Sequence, residues 1–106
     1  MNPENQRVAI AEACGWKVLE PEVKPAITYL WGLRKGFIHE ENREIIPNYL
    51  NDLNAMQQVQ EVLTTAQMTT MSQYLHRKLG MLWGFSTAAQ RAEAFLRTIG
   101  KWEEAK

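Results

Sequence analysis

The sequence predicts an α+β fold, with about four helices packed on a small, mostly antiparallel sheet in one domain covering residues 1–106. Three observations carry this. Three stretches hold helix-start chemistry: Asn2-Pro3, Thr64-x-x-Gln67 and Thr87-x-x-Gln90. Residues 26–33 are β-branched and aromatic, with Ile27, Tyr29, Trp31 and Leu33 recurring at period two. A chain of 106 residues, 45% of them hydrophobic, has material for one core that buries about 65% of the unfolded surface.

The elements follow in order. Asn2 caps a first helix, Pro3 takes its first position, Glu4 suits the positive dipole end, and Gly15 offers the left-handed stop. Its apolar positions Val8, Ala9, Ile10, Ala13 and Cys14 are small, which predicts close packing. Trp16 to Leu19 reads as a short strand, and Pro21 and Pro25 bracket a polar connection. The strand over residues 26–33 then meets a turn at Arg34-Lys35-Gly36 and returns through Phe37 and Ile38 as a hairpin. The charged run from His39 to Glu44 reads as a solvated loop.

A second helix is predicted over residues 47–63, with Tyr49, Leu53, Met56, Val59 or Gln60, and Leu63 as its inner stripe. A third opens at the Thr64 capping box, turns Met68, Met71, Leu75 and Leu79 inward, and stops at Gly80. Residues 81–85 form a short apolar strand candidate. The last helix opens at the Thr87 box with Ala88, Ala92, Phe95, Leu96 and Ile99 inward, and ends at Gly100, where Trp102 can fold back on the final turn. The order is α-β-β-β-α-α-β-α. Thr64 and Thr87 are expected to be structural caps and not ligand contacts.

Composition narrows the function. Lys plus Arg and Asp plus Glu each number 12, so the formal net charge is zero. Without a broad positive field, general nucleic-acid binding is not expected. No apolar run approaches the ~20 residues of a membrane span, and no charged-then-apolar leader opens the chain. The single Cys14 has no internal disulfide partner and fits a reducing cytoplasm.

Residues 46–56, Ile-Pro-Asn-Tyr-Leu-Asn-Asp-Leu-Asn-Ala-Met, are the most informative run. Asn48, Asn51, Asp52 and Asn54 surround Tyr49 at a predicted helix start, more short polar side chains than capping requires. With Ala13-Cys14-Gly15-Trp16, Ala88 to Leu96 and Lys101-Trp102, this run resembles the phage ABA sandwich domain, a family of small bacteriophage-encoded proteins. The matched blocks cover roughly the first 16 residues, the middle helix and the last 20. The resemblance implies a phage accessory protein with α-β-α layering, working in the cytoplasm of the infected bacterial host. It implies no activity.

No catalytic signature is present. His39 and His76 lie in different elements without a relay or ligand spacing, and His39-Glu40-Glu41 does not converge on an ion as an i, i+4 pair would. Cys14 at a helix C-terminus faces the negative dipole end, which raises a thiol pKa. Neither an enzyme, a cofactor nor a metal is expected.

Binding groups are easier to find. Tyr29 and Trp31 share a strand face, followed by Arg34 and Lys35, and an aromatic platform beside cations stacks a base and neutralises phosphate. The alternative is that both rings face the helices as core, the commoner fate of a period-two face. Asn48, Tyr49 and Asp52 either bond a ribose or base edge, or cap and pack. Arg91, one turn into the last helix, works against the dipole and calls for an anionic partner, Asp52 or a ligand phosphate.

These residues lead to one expectation of function. The chain binds and sequesters a nucleotide-type host immune signal without turning it over. The alternatives are inhibition of a host defence protein by direct protein–protein binding, or a minor structural or DNA-associated role. A homo-oligomer is expected from the surplus of Trp31, Phe37, Trp83 and Phe85 on short strands.

Overall fold

A computed structural model describes residues 1–78, 80 and 86–104. The fold is α+β, with four α-helices and two small antiparallel sheets among the described residues. The helices are α1 (Pro3–Ala13), α2 (Leu53–Val59), α3 (Thr65–Lys78) and α4 (Ala88–Thr98). Strands β1 (Lys17–Val18), β4 (Trp31–Leu33) and β5 (Glu44–Ile45) form one sheet in the order β1-β4-β5, and β2 (Glu22–Val23) pairs with β3 (Thr28–Tyr29) in the other.

Helix α4 is the hub. It packs against α1, α2 and α3, and its Ala88, Ala92, Ala94, Phe95 and Leu96 are buried. Alanines on that face let the neighbouring helices approach closely, while Phe95 fills the centre. Ile10 and Ala11 of α1, Met56 and Val59 of α2, Met71 and Leu75 of α3, and Leu30, Ile46 and Tyr49 complete one core cluster.

The capping chemistry falls where the sequence places it. Asn2 accepts from Asn5 N–H at 2.7 Å. Thr64 and Gln67 exchange hydrogen bonds of 2.9 and 3.1 Å, as do Thr87 and Gln90. Gly15 and Gly100 take φ of 91° and 75°, the left-handed region open to glycine. Trp102 does fold back, packing against the core cluster under Arg97.

Helix two is shorter than its stripe implies. Residues 47–52 form tight turns, with Tyr49 N–H donating to Pro47 O and Asn51 N–H to Asn48 O. Arg7 of α1 donates to the carbonyls of Ile46 and Pro47, holding this stretch against the first helix. The Asp52 carboxylate then accepts from the N–H groups of Asn54 and Ala55 at 3.0 and 3.2 Å, and so starts α2 at Leu53. Beyond Val59 the chain tightens into a 3₁₀ turn, Gln60–Val62, because Leu63 must be extended to enter the Thr64 capping box.

The sheet departs further from expectation. The single strand predicted over residues 26–33 is divided between the two sheets as β3 and β4. The stretch between Pro21 and Pro25, read as a connection, contributes β2. Arg34 to Phe37 do form the turn, with Phe37 N–H donating to Arg34 O, but Phe37 and Ile38 remain exposed. The returning strand is β5, within and just beyond the charged run, after a 3₁₀ turn at Glu40–Asn42. On α1, Gln6 replaces Ala13 on the inner face, its amide donating to Met1 O at 3.1 Å. The strand expected over residues 81–85, with Trp83 and Phe85, and the inward Leu79 lie outside the described residues.

Candidate binding face

Pairing register fixes which side chains share a face. Glu22 stands opposite Tyr29, and Trp31 opposite Ile45. Residues two apart on a strand point the same way, so Ile27, Tyr29, Trp31, Ile45 and Glu22 look out together. Leu30 and Ile46, of the opposite parity, are buried in the core. Gly32 is needed on that inner side: a Cβ there would stand 2.9 Å from the Trp16 ring and 3.1 Å from Ile46.

On the outer side the Tyr29 and Trp31 rings lie 6.5 Å apart at a tilt of 32°. The Trp31 indole N–H donates to Glu22 at 2.9 Å, and Lys24 pairs with the same carboxylate at 3.2 Å. The Arg43 guanidinium sits 4.4 Å from the Trp31 ring centroid. The Trp31 hydrogen bond, Lys24 and Arg43 together hold the Glu22 carboxyl below its ordinary pKa. Glu22, Lys24, Tyr29, Trp31 and Ile45 line a shallow hollow of about 390 Å³. An acceptor, two cations and two aromatic rings therefore converge on one exposed surface.

The structure settles how the period-two run is used. Its face is not core at Tyr29, which is 36% exposed; Trp31 is half-buried against Glu22 and Arg43. Leu33, the last residue of the run, is buried, so the run passes from surface to core between Trp31 and Leu33.

The remaining sequence candidates lie elsewhere. Arg34 turns away from Trp31, stacks 4.9 Å over Trp16 and pairs with Glu44 at 2.8 Å. It lines a second hollow, about 400 Å³, with Cys14, Trp16, Tyr49 and Gln58. Burial pushes the Tyr49 hydroxyl up to about 12 and raises the Cys14 thiol as well. Both therefore stay protonated at neutral pH, so that hollow holds no ready nucleophile. Asn48 and Asp52 are exposed, with Asp52 committed to the α2 start.

Arg91 is 4% exposed and donates from Nε to the Ser86 hydroxyl at 2.8 Å. Desolvation lowers its pKa, yet an arginine remains a cation there. Among the described residues it makes no ion pair with Asp52. The seven sequence candidates thus occupy three places: Tyr29 with Trp31, Arg34 with Tyr49 and the neighbouring α2 start (Asn48, Asp52), and Arg91 beside Ser86.

Sequence reasoning missed Glu22, Lys24, Arg43 and Ile45. The available signal was the alternation itself: in Glu22-Val23-Lys24 the two charged groups share one side of a short strand, and in Arg43-Glu44-Ile45 the Arg43 and Ile45 side chains do. Among the described residues no three His, Cys, Asp or Glu cluster as a metal would need, and no helix is long and apolar enough to cross a membrane. No family model, curated protein or solved structure matches the chain.

Proposed function

We propose that this chain is a non-enzymatic binding protein that holds a nucleotide-type ligand on the outer face shared by its two small sheets. The carrying observation is the convergence of Tyr29 and Trp31 with Lys24, Arg43 and Glu22 around one hollow. A base stacks on aromatic rings and on guanidinium planes. Phosphate takes the cations, and a ribose or base amino group donates to the carboxylate. The Arg43 guanidinium, 4.4 Å from the Trp31 ring centroid, extends the stacking surface. Cys14 and Tyr49, raised in pKa in the other hollow, offer no chemistry to cleave what is bound.

Sequestration of a host immune signal in the cytoplasm of an infected bacterium is the role that fits such a site and the phage ABA sandwich resemblance. Incubating the protein with cyclic and linear dinucleotides and ADP-ribose-type compounds, then filtering and releasing by heat, tests it. The expected result is depletion of one compound and its return intact. A cleaved product would make the protein an enzyme.

A second reading has its own observation. Ile38 is 79% exposed and Phe37 about half exposed at the Gly36 turn, an apolar tip suited to inserting into another protein. If no compound is depleted, inhibition of a host defence protein through that tip takes the place of the sponge.

A further inference from the structure

We propose that two copies of this chain meet through the outer face shared by the two small sheets about a two-fold axis, so that each closes the other's hollow. The ligand part of this rests on the nucleotide reading; the assembly does not.

The water-facing side of an antiparallel sheet is ordinarily polar. Here that parity carries Ile27, Tyr29, Trp31 and Ile45, with Ile27 54% and Ile45 45% exposed. Apolar side chains gathered on one open face, with polar groups at the rim, mark an interface.

The charges identify the occupant. Glu22 lies 3.2 Å from Lys24, and Arg43 acts on the same carboxylate from above Trp31. Acid and base are interleaved within the patch, and the whole chain carries 12 of each sign. A strongly acidic or basic partner finds no complement in such a surface. A copy turned through a two-fold does, because Glu22 of one chain then faces Lys24 or Arg43 of the other, and each contact is made twice.

The arrangement also answers what the hollow lacks. A one-sided platform exchanges its ligand freely with water, whereas a second copy supplies a second aromatic wall and a second pair of cations. A compact, twice-phosphorylated ligand matches that doubled set.

Light scattering and native mass spectrometry of the full chain, without nucleotide, provide the test. The expected mass is twice the 12.3 kDa of one chain. Ile45→Lys should weaken association by roughly tenfold or more, as losing an interface anchor worth over 1 kcal/mol does. Ile27→Glu, in the turn between β2 and β3 and outside the ladder pairs, should do the same with an unchanged circular dichroism spectrum. Glu22→Lys alone and the double change Lys24→Glu with Arg43→Glu should each be monomeric, and mixing them should restore a heterodimer. A monomer at micromolar concentration overturns the proposal. So does a dimer indifferent to both Ile27→Glu and Ile45→Lys, or failure of the mixed charge variants to pair. A dimer that binds no nucleotide defeats the ligand reading alone; a monomer that binds one defeats this inference alone.

Discussion

The helical part and the sheet part of this chain spend their apolar residues differently. On α4, six of the eleven side chains are buried, and Ala88, Ala92, Phe95 and Leu96 all reach the core. Between residues 22 and 45, Val23, Ile27, Tyr29, Phe37, Ile38 and Ile45 are exposed instead. Both regions are rich in large side chains, so composition does not separate them. One buries its apolar side chains and the other leaves many of them open to water.

The sharpest break of that comparison lies at Phe95. Phe95→Ala should cost about 3–5 kcal/mol, because α4 meets three helices around it and the cavity cannot collapse on all sides. Urea denaturation would read it. If Tyr29→Ala cost as much, the sheet face would belong to the core after all; the expectation there is about 0.5 kcal/mol or less, with ligand depletion lost.

Gly32→Ala probes the seam between the regions. The added methyl meets Trp16 and Ile46 at 2.9 and 3.1 Å, and overpacking of this kind costs about 1–3 kcal/mol. A lowered melting temperature should accompany it. An unchanged one would mean that the sheet slides freely over the helices.

Helix starts should give smaller, local effects. Thr64→Ala and Thr87→Ala are each expected to cost ~1 kcal/mol while leaving ligand depletion intact. Lost binding at full stability would place these threonines in the functional face.

The smallest effects are those of pH. Tyr49 has a folded pKa raised to about 12 from an ordinary 10, so its contribution is fully present below pH 10 and is lost as pH rises toward 12. Phenolate absorbance should show Tyr49 ionising late together with unfolding, and Tyr74, raised by burial and its hydrogen bond to Glu93, also ionising above the ordinary range. Glu22 runs the other way. Its lowered pKa means that its contribution is present above the ordinary carboxylate range and fades as pH falls through the depressed value. Trp31 emission should follow that loss before any change in helicity.

The helices were legible because their signals are local. A threonine three residues before a glutamine caps a helix whatever the rest of the chain does, and Gly15 and Gly100 stop one for reasons held in a single residue. The sheet was less so. Strands β2 and β5 have two residues each, too few for a periodic signal, and their partners are set by packing at a distance. Which face of residues 27–31 meets water depends on where the helices lie, and no property of Tyr29 or Trp31 decides it. The same holds for Arg91: the sequence calls for an anionic partner, Asp52 or a ligand phosphate, and only the placed core shows it buried and donating to Ser86.

Three arginines stand over three tryptophans: Arg34 over Trp16 at 4.9 Å, Arg43 over Trp31 at 4.4 Å and Arg97 over Trp102 at 4.9 Å. An indole excited state shifts its dipole, so a fixed neighbouring charge tunes the colour and yield of its emission. Each ring therefore carries its own label for a different part of the molecule: the seam, the outer face, and the segment that follows α4. Variants that keep one of the three and replace Trp83 as well would report ligand arrival, sheet displacement and release of that last segment as separate optical signals, with no dye attached.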